Sequence, residues 1–283
     1  MTPRSTEFPG AALLAAAAAP ELPQKDDLCG PFWALAAARV FGARVRDQDE
    51  AALAAGTLLW TGDSLPPGIA GRRDYRVELP ATDDENRAGT DRAGVARAVV
   101  RLTGGAAAVL EITDPARRWD DDGLRGLFEA VSAVDRTVVV LANVATEQYL
   151  LPAESGAGER YLATGETAGY RTAGWRAGHF VAVLGWREGR AGRLYRVHDS
   201  YPLDPTAATG SAEIHDQPEE AFRAALSRPG LGAGALLLVG SPATLDRLRP
   251  VPERFGWAAR PLDPDRDGAP PAAATSARPR RAR

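Results

Sequence analysis

A single cysteine, Cys29, leaves this 283-residue chain unable to form an internal disulfide or a thiolate zinc cage. Three histidines, His179, His198 and His215, are its whole supply of imidazole. Disulfide scaffolds and zinc modules are thereby excluded. Lysine is scarcer still: Lys25 stands alone, and the remaining basic residues are arginine, a bias that fits a GC-rich genome. The 34 basic and 37 acidic residues leave a formal net charge of −3, too small to draw in nucleic acid or an anionic bilayer. Long apolar runs are missing too. The stretch 11–19 is far below the length of a bilayer crossing and has only Arg4 as a basic flank, so a cytoplasmic location without membrane contact is expected.

What the chain does have is the composition of a globular protein, 45% hydrophobic and 25% charged. Its length suits one or two domains, at roughly 150 residues each. The sequence divides into an N-terminal segment at 1–19, one domain at 20–245 with no clean linker inside it, and a disordered tail at 246–283. Disorder is plainest from Ala258 on, where Pro, Ala, Asp and Arg follow one another without apolar periodicity.

Helices are predicted at 10–19, stopped by Pro20, and directly after Cys29, where Pro31 suits the first turn and Gly42 ends the helix. Further helices are expected at 47–55, 92–102, 121–134 and 218–226, and strands at 107–112, 137–144, 179–186, 194–199 and 232–239. Two stretches rich in glycine read as irregular: 62–90, with one short strand at 75–79, and 152–177. The class is α+β.

A cysteine that opens a helix sits where unbonded N–H groups and the positive end of the helix dipole favour thiolate over thiol. Gln24, upstream, offers a side-chain amide that with the Cys29 N–H can donate to an oxyanion. His179 begins an apolar strand after Gly178 and can serve the thiol as its base. Asp199, at the end of the next strand of a hairpin, can lie beside His179, hold its tautomer and stabilise its cation. His198 alternates to the opposite face and reads as a bystander, and His215, next to Asp216, reads as surface. Asp26 and Asp27 would disfavour a thiolate if they pointed inward, so they are expected to face solvent or cap the helix.

Gln24 with Cys29-Gly30-Pro31, then Gly178-His179-Phe180-Val181-Ala182-Val183, then Val197-His198-Asp199-Ser200-Tyr201-Pro202, form three short motifs in order. The set resembles the papain-like cysteine peptidases of the bacteriocin-leader, double-glycine type, although the glutamine lies one residue nearer the cysteine than is usual there. The resemblance implies a papain-like fold, with an N-terminal helical part packed on an antiparallel sheet. It implies Cys29 as nucleophile, His179 as general base and then acid, Asp199 as orienting acid and Gln24 as oxyanion donor.

The expected function is a cysteine-dependent hydrolase, a peptidase or amidase, that works on a peptide or amide bond without a cofactor, with small ribosomal peptides as first candidates. Acyl or peptidyl transfer on the same fold and a catalytically silent peptide-binding module are the alternatives. A dinucleotide-binding oxidoreductase is not: no G-x-G-x-x-G follows a predicted strand at Gly104-Gly105.

Overall fold

The computed structural model describes residues 3–62, 65–116, 118–204, 206–207, 212–227 and 234–263. A strand, β1 (Arg4–Glu7), and a helix, α1 (Ala11–Ala18), open the chain, followed by α2 (Cys29–Val40) and α3 (Gln48–Ala55). Two-residue strands β2 (Leu59–Trp60) and β3 (Ala81–Thr82) precede α4 (Arg92–Leu102), β4 (Ala108–Thr113), α5 (Asp121–Ser132) and β5 (Val138–Ala145). Then come β6 (Leu150–Pro152), α6 (Ala157–Thr164), β7 (Tyr170–Thr172), β8 (Gly178–Glu188) and β9 (Arg193–His198). β10 (Ile214–Pro218), α7 (Glu219–Ser227), β11 (Ala235–Gly240), α8 (Pro242–Leu248), α9 (Pro250–Glu253) and β12 (Ala258–Pro261) complete the order.

The fold is α+β, built on an eight-stranded antiparallel sheet in the order β10-β9-β8-β5-β11-β4-β12. β5 lies along the first half of β8, and β1 takes over along the second. Every residue of β5 and β11 is buried, as central strands without a wet face must be. α2 packs on β8 and also against α1, α3 and α4, so the helical N-terminal part covers the sheet at its middle. Asp47, Asp91 and Asp120 accept backbone N–H bonds at the starts of α3, α4 and α5, and Gly56, at φ +72°, ends α3.

Several expectations need correcting. One continuous apolar cluster runs from Phe8 to Leu262, so the described part of 1–19, from residue 3 on, and 246–263 belong to the body rather than to a leading segment and a tail. β12 is an edge strand on β4 whose pairing comes from the backbone, which apolar periodicity does not report. Residues 264–283 lie outside the described residues. Residues 75–79 form no strand. Their alternation reflects Tyr75, Val77 and Leu79 packing against Leu28 and Ala52, while the parallel pair falls at β2 and β3. The 152–177 stretch is not all loop, because α6 stands there between two left-handed glycines, Gly156 and Gly165, and packs Tyr161 and Leu162 onto Leu194.

Candidate active site

Cys29 is the first residue of α2, where backbone N–H groups have no partner inside the helix. Its neighbour must be glycine. A β-carbon at Gly30 would lie 2.9 Å from the Thr90 β-carbon, so a larger residue would push the helix start off the segment that precedes α4. Cys29 is half-buried and lines a cleft of about 690 Å³ together with Gln24 and His179. Neither Asp26 nor Asp27 caps α2, whose N-cap is Leu28, and Asp26 does not face solvent. Asp26 is buried, paired with Arg73 Nε at 2.8 Å and accepting from the Arg72 N–H at 2.7 Å, so its charge is compensated. Asp27 sits at φ +60° and accepts from the Trp60 N–H at 2.9 Å, which fixes the turn that delivers Cys29.

His179 is the second residue of β8, opposite Val144 of β5. β9 pairs Ala182 with His198, so Asp199, one step further, falls on the face of β8 that carries His179. His179 Nε2 lies 3.0 Å from Asp199 Oδ1, with both side chains buried. That leaves Nδ1 free of the carboxylate, and Cys29, on the same cleft wall, is near enough to favour charge on the ring. Burial opposes charge on this imidazole, but Asp199, together with the contact to Cys29, outweighs it and raises the His179 pKa above its ordinary 6.5. Asp199 moves the opposite way: burial would raise its pKa, and His179, by its charge and its hydrogen bond, holds it well below 3.8. Trp175 meets the His179 ring edge-on at 4.8 Å, and Tyr201 stacks on it at 6.0 Å and 17°. These two rings keep water from the imidazole–carboxylate bond.

The other two histidines part company. His198 is buried against the Trp33 ring at 5.2 Å, on the face opposite the His179–Asp199 contact, as its alternation implies. His215 is not on the surface. The pairing of β10 with β9 sets it opposite Val197, buried, with Nε2 3.9 Å from Asp199 Oδ2 and Nδ1 2.9 Å from Gln217 Nε2. Trp175, Tyr201 and His215 are the site residues that sequence reasoning left without a role. The Ser-Tyr-Pro run after Asp199 pointed at Tyr201. Nothing local pointed at the other two.

Gln24 is buried and faces the cleft with Cys29 and His179. Its Oε1 accepts from Ser200 Oγ, its Nε2 donates to Tyr201 Oη at 3.0 Å and to the Lys25 carbonyl at 3.3 Å, and its backbone N–H donates to the Ser200 carbonyl at 3.1 Å. The residue therefore ties the segment before α2 to the segment after β9, and so the cysteine half of the site to the acid half. Lys25 beside it points inward, with Nζ 3.0 Å from both Asp49 oxygens and 2.7 Å from the Asp74 carbonyl.

Both glycine-rich stretches reach the cleft, through 85–90 on one side and Trp175, Arg176 and Ala177 on the other. Its walls carry five arginines against three carboxylates. Among the described residues no group of His, Cys, Asp and Glu is arranged to hold a metal ion, and no helix is long and apolar enough to cross a membrane.

The chain belongs to a family of unknown function, DUF6885, whose model matches residues 8–263. No curated protein and no solved structure matches it.

Proposed function

We propose that the chain is a cysteine-dependent hydrolase of papain-like fold that acts on a peptide or amide bond. One observation carries this reading: His179, bonded to the Asp199 carboxylate at 3.0 Å, shares with Cys29 the wall of a cleft large enough for an extended substrate. A nucleophile, its base and an orienting acid in that sequence make up an acyl-transfer apparatus. The layout, with the cysteine on a helix that packs on an antiparallel sheet bearing the histidine and the acid, supports the papain-like assignment.

His179 takes the thiol proton, the Cys29 sulfur attacks the carbonyl carbon, and a carbon–sulfur bond forms as the carbonyl oxygen takes up the negative charge. The Cys29 N–H and Gln24 Nε2 are the donors for that oxyanion, with Gln24 trading its bond to Tyr201 or to the Lys25 carbonyl for the new one. The carbon–nitrogen bond then breaks as His179 gives its proton to the departing amine. Water, deprotonated by the same ring, adds to the thioester, releasing a carboxylic acid and the free thiol. Asp199 keeps the imidazole oriented and its cation stabilised throughout. The reaction draws on the chain's own side chains, and an extended peptide is the substrate that fits the cleft.

Cys29→Ala and His179→Ala are expected to abolish release of amine from a peptide library while the thermal unfolding curve stays close to that of the parent. Turnover retained by either variant would remove the assigned roles. Iodoacetamide provides the substrate-free check: alkylation of Cys29 near neutrality should be fast in the parent and slow in His179→Ala.

A further inference from the structure

We propose that His215 is a positioning residue for the Cys29–His179–Asp199 array, holding the carboxylate from behind. The inference rests on the hydrolase reading above. It starts from Gln217, whose side-chain amide is locked by one backbone unit: Oε1 accepts from the Leu150 N–H at 3.1 Å and Nε2 donates to the Leu150 carbonyl at 3.0 Å. Neither bond survives a flip of the amide. The nitrogen that faces His215 Nδ1 at 2.9 Å is therefore a donor, and Nδ1 must accept. An imidazole that accepts at Nδ1 is neutral and carries its proton on Nε2.

That N–H looks toward Asp199. Oδ1 of the carboxylate is already engaged by His179 Nε2 at 3.0 Å and by the Tyr201 N–H at 2.9 Å. Oδ2 faces the other way, 3.9 Å from His215 Nε2. Oδ2, His215 Nε2 and the Tyr149 hydroxyl are all buried side-chain atoms without a hydrogen-bond partner among the described residues. Tyr149 packs edge-on against His215 at 5.3 Å, which puts the three groups in one buried patch behind the His179–Asp199 pair. Buried donors and acceptors are seldom left unmatched, and a shift of under about 1 Å brings the His215 N–H onto Oδ2. With one oxygen held from each side the carboxylate cannot rotate, and Oδ1 stays on His179. His215 touches neither the sulfur nor the reacting carbonyl and acts through Asp199 alone.

The test uses the full chain with iodoacetamide as probe, and ¹⁵N-histidine spectra of the same samples. In the unsubstituted protein the His215 signal should be that of the Nε2–H tautomer. An Nδ1–H form would overturn the proposal without any variant having to fold. His215→Phe keeps the ring volume against Tyr149 and removes the donor, and is expected to slow Cys29 alkylation roughly ten-fold or more and to move the His179 ring signal. His215→Gln, which restores an N–H at that depth, should recover the rate to within a few-fold. Alkylation that depends on His179 yet is unchanged by His215→Phe overturns the proposal alone, whereas alkylation indifferent to His179→Ala overturns the hydrolase reading beneath it.

Discussion

His198 and Asp199 are neighbours in sequence with opposite fates. Asp199 is held as an anion by His179, while His198, pressed against Trp33, has its pKa lowered to about 4, first by burial and only partly offset by the Asp199 charge. The consequence for stability has a definite sign. Between pH 6.5 and about 4 the unfolded chain protonates this histidine and the native state does not, so stability is present above 6.5 and falls as pH drops through the window. Asp199, lowered from 3.8, gives up its contribution at more acid pH, and His179, raised from 6.5, does so at more alkaline pH, so neither masks the interval. His198→Phe should therefore flatten the pH dependence of the urea midpoint between 4 and 6.5, and an unchanged slope would exclude His198 as its source. That His179 and Asp199 meet, and that Cys29 shares their cleft, could be anticipated from the helix start at Cys29 and the hairpin that carries the other two. His215 could not, because its approach to Asp199 depends on how β10 aligns with β9 across a segment whose length alone does not fix register.

Among elements, those with chemical punctuation were legible to within a residue or two. α3, α4 and α5 begin at aspartates that accept the first free N–H groups, and α2 and α3 end at Gly42 and Gly56. β1, β2, β3 and β12 escaped because short strands bound mainly through the backbone need no apolar alternation. β1 depends on one residue of its partner. The pairing of β8 shifts register between Val183 and Gly185, and Gly185 there adopts φ +150°, with its α-carbon against the Thr6 carbonyl where a side chain would collide. Gly185→Ala is expected to cost about 1–3 kcal/mol in urea unfolding and to speed tryptic cleavage after Arg4 as β1 peels away. Parent-like stability and cleavage would mean that β1 tolerates the collision.

For the molecule as a whole, net charge and local charge disagree. The chain carries −3, which taken alone predicts that an anionic reagent is repelled. The cleft has the reverse balance, and two of its arginines, Arg87 and Arg101, form no ion pair among the described residues. Iodoacetate should therefore alkylate Cys29 faster relative to iodoacetamide than it alkylates a free thiol. The advantage should shrink in high salt, and it should drop a few-fold in the Arg87→Gln, Arg101→Gln double variant. A ratio no better than that of a free thiol would show that the overall charge dominates.

The setting of Lys25 bears on the thioester that the proposed chemistry would form. The chain's only ammonium side chain is locked onto Asp49 and the Asp74 carbonyl, 9% exposed, and every other cationic side chain is a guanidinium or an imidazole. Guanidinium groups do not aminolyse thioesters at neutral pH, and an ammonium held by two carboxylate oxygens has no free pair with which to attack. An acylated Cys29 is thus spared capture by a neighbouring lysine of its own chain. The intermediate would wait for a nucleophile arriving from solution, and the cleft would decide which one is admitted.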